Sequence, residues 1–117
     1  MKVAVIGSRS FADYGLLCRT LDAIPELSTI VSGGAPGADS LGERYSDERG
    51  LAKQIYRPDW ARYGRGAGKV RNKTIVDASD LVVAFWDGAS TGTRHALDYA
   101  KQRGKPVRVV RFDSPAP

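Results

Sequence analysis

Gly33, Gly34 and Gly37 stand close together in the stretch Val31-Ser-Gly-Gly-Ala-Pro-Gly-Ala-Asp-Ser40, directly after the apolar run Thr29-Ile30-Val31 and directly before a segment that reads as helix. Glycine removes Cβ atoms where a chain turning from strand to helix would otherwise carry side chains, so the backbone there lies bare. Bare backbone at such a junction serves either a tight turn or an anion, because the first N–H groups of a helix lack partners and carry about half a positive charge. The same chemistry recurs at two further strand-to-helix junctions, Gly7-Ser8-Arg9 and Asp87 to Thr93 (DGASTGT). Ser8, Ser90, Thr91 and Thr93 add hydroxyl donors, or the usual N-caps, and Arg9 adds a fork that matches phosphate. Gly92 keeps the third junction open. Neither a Walker A pattern nor an intact G-x-G-x-x-G is present, which excludes a P-loop NTPase and an ordinary dinucleotide fingerprint.

Other polar residues near these junctions have two readings each. Asp39 falls in the first turn of a helix, where a carboxylate suits the dipole but repels phosphate, so it faces a ribose or serves as a cap. Asp87 faces the same choice, and the two are the weak candidates for catalysis. Trp86 either stacks on a base or packs at a strand end. Cys18 is the only thiol and His95 the only imidazole, so a cysteine-based metal site is excluded and no metal is expected. Cys18 reads as a small half-buried hydrophobe, and His95 as a surface or cap residue.

The elements that must position these residues follow from periodicity. Five short β-branched or apolar runs occur at Lys2–Gly7, Ser28–Gly33, Ala52–Arg57, Asp80–Trp86 and Pro106–Phe112. Between them lie segments of helical spacing: Leu17, Leu21 and Ile24 before Pro25; Leu41, Tyr45 and Leu51 with Gly50 as C-cap; about 67–79; and about 92–103 before Gly104. Strand and helix alternate throughout, the signature of βαβ units around a parallel sheet. The fold class is therefore α/β, a Rossmann-like three-layer fold with a five-stranded parallel sheet in the order 3-2-1-4-5. The first and fourth runs are almost wholly apolar, as central strands are, whereas Arg108 and Arg111 put the last run at an edge. Ligands of open sheets bind beyond the carboxyl ends of the strands where the winding reverses, here between the first and fourth strands. The stretch PDWARYGRGAGKVRN, with Trp60, Tyr63 and glycines at 64, 66 and 68, reads as a long loop that closes over a ligand with Arg62, Arg65, Lys69 and Arg71.

A chain of 117 residues fits one domain, assigned to 1–113, with 114–117 as a disordered tail. Eighteen Lys and Arg against thirteen Asp and Glu give a net charge of +5, which admits a nucleotide or a nucleic acid as partner. No apolar run approaches the roughly 20 residues of a membrane span, and the opening MKVAVIGSRS reads as a strand and not as a signal peptide, so no membrane partner and a cytoplasmic location are expected.

In order and spacing, GSRSFADY, VSGGAPGAD, DWARYGRGAGKVRN and DLVVAFWDGASTGT resemble the SLOG superfamily. That group includes the LOG phosphoribohydrolases and the DprA/Smf DNA-processing proteins, and the nearest likeness is to its small stand-alone YspA/YpsA-related members. The resemblance spans Met1 to about Val110. It implies a pocket for a nucleotide or a nucleotide-derived ligand, ADP-ribose-like, NAD-like or a nucleoside phosphate, formed by Gly7, Ser8, Arg9, Gly33, Gly34, Gly37, Asp39, Arg71, Asn72, Gly92 and Thr93, with Trp86, Asp87 and Thr91 beside them. It implies a ligand-binding or sensing module that requires no cofactor and forms a homodimer. LOG-like hydrolysis of a nucleotide and DprA-like binding of single-stranded DNA are the alternatives. The LOG enzymes carry Gly-Gly-x-Gly-Thr-x-x-Glu, whereas this chain reads GASTGTRHA, with Ala96 where the glutamate would stand. Loss of that carboxylate weakens the hydrolase alternative, since cleavage of a glycosidic bond needs one to activate water or to stabilise an oxocarbenium-like centre.

Overall fold

The computed structural model describes residues 1–113. The expected disordered tail at 114–117 lies outside the described residues. The chain runs β1 (Lys2–Gly7), α1 (Tyr14–Asp22), β2 (Thr29–Ser32), α2 (Ala38–Arg49), β3 (Ala52–Ile55), α3 (Trp60–Tyr63), a 3-10 turn (Gly64–Gly66), α4 (Ala67–Asp77), β4 (Leu81–Trp86), α5 (Thr91–Gln102) and β5 (Val107–Arg111). All strand pairs are parallel and the sheet order is β3-β2-β1-β4-β5, as the alternation of runs predicts.

Side-chain alternation along the strands builds two cores. Val3 and Val5 of β1, Ile30 of β2, and Leu81, Val83 and Phe85 of β4 point toward Leu17 and Leu21 of α1 and Ala38 and Tyr45 of α2. Their neighbours Ala4, Ile6, Val31, Val82 and Ala84 point the other way, toward Ile75 and Val76 of α4 and Ala96, Leu97 and Ala100 of α5. Full burial of a large apolar side chain contributes about 1.5–3 kcal/mol, so the doubly covered β1 and β4 carry most of the stability. The outer strands are poorer in it: β3 has no buried residue, and β5 leaves Val109 42% exposed between Arg108 and Arg111. Exposed charge on such an edge discourages pairing with another chain. Among the described residues no helix is long and apolar enough to cross a membrane.

The expected long loop before α4 is mostly helical. Asp59 accepts the Arg62 amide at 3.1 Å and caps α3. Gly64, at φ +55°, ends that helix, whereas Gly66 takes ordinary helical angles and Gly68 lies within α4. Arg71 is thus held in the second turn of a helix that packs on α5 and not on a mobile loop.

Candidate functional site

The carboxyl ends of β1, β2 and β4 and the starts of α2, α4 and α5 surround two adjoining cavities. The inner one, about 510 Å³, is lined by Gly7, Ser8, Arg9, Asp39, Asp87, Ser90, Thr93 and Ala96, among others. The outer one, about 900 Å³, is lined by Gly33, Gly34, Arg57, Trp60, Arg65, Lys69, Thr91, Arg94, His95 and Asp98, among others. Arg9, Ala35, Arg71, Asn72 and Gly92 line both and form the divide.

Ser8 ties three of the walls together. Its amide donates to Phe85 O at 2.9 Å, its carbonyl accepts the amides of Phe11 and Ala38, and its buried Oγ accepts the Asp87 amide at 3.1 Å. The fourth wall is attached by Arg71, whose Nη1 donates to Gly33 O at 2.7 Å and whose Nε donates to Asn72 Oδ1. Asn72 in turn donates to Gly92 O at 3.3 Å.

The helix starts differ in how they are capped. Asp13 and Asp59 cap α1 and α3 with their side chains. The N-cap residues of α2 and α5, Gly37 and Ser90, make no side-chain cap bond. Ser90 Oγ pairs instead with Thr93 Oγ1 at 3.2 Å, and Ser90, Thr91, Gly92 and Thr93, the N-cap and first turn, line the cavities at the positive end of the α5 dipole. Arg9, Arg71 and Asn72 stand around that turn, an arrangement suited to a phosphate.

The Gly33–Ala35 turn works differently. The amides of Gly33 and Ala35 both donate to Asp39 Oδ2, at 3.1 and 3.2 Å, so the protein's own carboxylate occupies the donors that the glycine pattern offers to phosphate. Gly34, at φ +74°, bends the chain so that both amides reach one oxygen. Burial pushes the Asp39 carboxyl up to about 6, against the pull of the Ala35 amide, the Arg71 guanidinium and the Gly33 amide. The native state therefore holds a proton that the unfolded chain releases from about pH 4 upward, and stability falls as pH rises from about 4 to about 6. Relative to wild type, Asp39→Asn is expected to gain stability across that window by an amount on the order of 3 kcal/mol. Urea unfolding of both proteins at pH 4 and pH 7 measures it, and an offset that does not change with pH would refute it.

Of the residues singled out from sequence, Gly37 and Trp86 lie outside both cavities, and so do Arg62 and Tyr63 of the stretch expected to close over a ligand. Gly37 packs against the backbone of Ser8 and Arg9. Trp86 donates its indole N–H to Ser90 O at 3.0 Å, and its ring lies beneath the Arg94 and Arg111 guanidinium groups. Asp87 accepts the amides of Ala89 and Ser90 and shapes the turn into α5. Sequence reading passed over Arg57, Arg94 and Asp98 and read His95 as a surface or cap residue. Thr91, Arg94, His95 and Asp98 follow helical spacing on the face of α5 opposite its buried Ala96, Leu97 and Ala100, and that polar periodicity is the signal that could have found them. His95 keeps a buried Nδ1 without a partner, and burial with Lys69 and Lys73 nearby lowers its pKa, so the ring is neutral at neutral pH.

The model of the YAcAr family, described as the YspA, cpYpsA-related SLOG family, matches residues 1–63. The chain belongs to this family. As a SLOG protein it is similar to the Gene 61 protein of Mycobacterium phage D29, 34% identical over 116 residues that cover 91% of this chain and 93% of that one. A shorter likeness, 47% identity over 32 residues, links it to the uncharacterized SPbeta prophage-derived protein YoqJ of Bacillus subtilis (strain 168), covering 27% of this chain and 19% of YoqJ. No solved structure matches it significantly. The family match takes in the first two glycine junctions, whereas Arg71, Asn72 and the start of α5 lie beyond it.

Proposed function

We propose that this SLOG protein binds a nucleotide or nucleotide-derived ligand across the two cavities, as a sensing or ligand-binding module. The observation that carries the reading is the pairing of an α5 start without a side-chain cap with an outer cavity strongly biased in charge. Arg9, Arg57, Arg65, Lys69, Arg71 and Arg94 line that cavity against the single carboxylate of Asp98. A phosphate at the α5 amides meets Arg9, Arg71 and Asn72, and a base in the outer cavity meets the half-exposed Trp60 ring. Mass spectrometry of small molecules released from freshly purified, denatured protein is expected to return a nucleotide. Arg9→Ala is expected to weaken calorimetric binding by about 1.5–3 kcal/mol. Absence of binding heat with every nucleotide tried at millimolar concentration would overturn the reading.

One observation favours turnover as a second reading. Asp39, with its carboxyl raised to about 6 by burial, lines the chamber that also holds Ala96, the position of the LOG glutamate. A carboxyl tuned toward neutrality suits proton transfer to a leaving base. Release of free base from a nucleotide panel, abolished by Asp39→Asn, supports hydrolysis; an intact panel after incubation with concentrated protein rejects it.

A further inference from the structure

The inner chamber is built to accept hydrogen bonds as well as to hold an anion. Asp39 is 6% exposed and lines it. An ionised carboxylate offers about four lone-pair sites. The Gly33 and Ala35 amides take those of Oδ2, whereas Oδ1 makes no hydrogen bond among the described residues and keeps some solvent contact. What remains is one oxygen whose lone pairs are unused, close to a region of positive charge. A phosphate is repelled there. A pair of adjacent hydroxyl groups completes the carboxylate's inventory, and such charge-assisted O–H···O bonds are short and strong. No aromatic ring lines the inner chamber, whereas Trp60 lines the outer one, so the base and the sugar of a nucleotide sort into different chambers.

We propose that Asp39 accepts the cis-diol of a ribose through Oδ1, making the site selective for ribonucleotides over 2′-deoxyribonucleotides. This assignment rests on the nucleotide-binding reading and adds the orientation of the ligand: sugar toward Asp39, phosphate toward the start of α5, base toward Trp60.

Calorimetric titration of the wild-type protein with the four ribonucleoside 5′-monophosphates and with their 2′-deoxy and 3′-deoxy counterparts tests it. Each missing hydroxyl is expected to weaken binding about tenfold to a hundredfold. Asp39→Asn, shown to be folded by thermal melting, is expected to weaken binding of the ribonucleotides more than that of the deoxynucleotides, so that the preference for ribose shrinks to about threefold or less. Equal binding of the ribo and deoxy series by the wild type overturns the assignment and leaves nucleotide binding standing, and that comparison does not depend on the variant folding. An Asp39→Asn protein that keeps the full preference also overturns it. Binding of neither series overturns both readings together.

Discussion

Gly37→Ala is expected to destabilise the fold by about 2–5 kcal/mol, from positive-φ strain and overpacking together. Gly37 sits at φ +81° and ψ −128°, a region that side chains of L residues rarely enter. A Cβ added there would lie 2.4 Å from Ser8 O and 2.5 Å from Arg9 O. These are backbone atoms with little room to yield, because Ser8 is bonded through its amide to Phe85 and through its carbonyl to Phe11 and Ala38. The clash must therefore be relieved by moving the α2 start away from β1, which opens the crevice where both cavities lie. Domains of this size have only about 5–15 kcal/mol to lose, so thermal or urea unfolding followed by circular dichroism should show a drop in melting temperature of roughly 10 °C or more. Gly66→Ala is the control: its angles are helical and nothing lies within 4 Å of the added Cβ. Equal stability of the two variants would show that the Gly37 turn is not held as described.

The architecture was legible because each strand and helix announces itself locally. The nearly unbroken apolar runs of β1 and β4 specify burial on both faces, and Gly50, found at φ +67°, ends α2 as its position predicts. The glycines of 64–68 misled because composition does not say which of them needs left-handed geometry; only Gly64 does, and Asp59 supplies the cap that lets α3 form. At the site, the convergence of Gly7, Gly33 and Gly92 follows from topology alone. The capture of two loop amides by Asp39 does not, since it depends on the positive φ of Gly34 and on where the start of α2 lies. Ribose or cap was the sequence-level choice for Asp39. In the structure Oδ2 takes the capping role, accepting the Gly33 and Ala35 amides.

Arg71→Ala is expected to change two properties at once. Arg71 lines both cavities, and its guanidinium bonds Gly33 O and Asn72 Oδ1 while standing in the field of Asp39 and Arg9. Loss of its charged fork should weaken nucleotide binding by about 1.5–3 kcal/mol, or roughly ten- to a hundredfold in Kd. Its stability cost should stay near that of one ordinary hydrogen bond, about 0.5–1.5 kcal/mol, because the Gly33 carbonyl that it leaves can be hydrated from the outer cavity. The second effect falls on Asp39. The guanidinium favours the ionised carboxylate, so without it the Asp39 carboxyl titrates above about 6, and a larger share is protonated at neutral pH. Carboxyl NMR titration reads that shift directly, independently of any ligand. Arg71→Lys separates the two effects: an ammonium at this position restores part of the charge that Asp39 senses, but it cannot reproduce the planar fork, so titration should recover further than affinity. If Arg71→Ala leaves the Asp39 titration unmoved, the two side chains are not electrostatically linked, and the inner chamber lacks the paired donor and acceptor on which its chemistry rests.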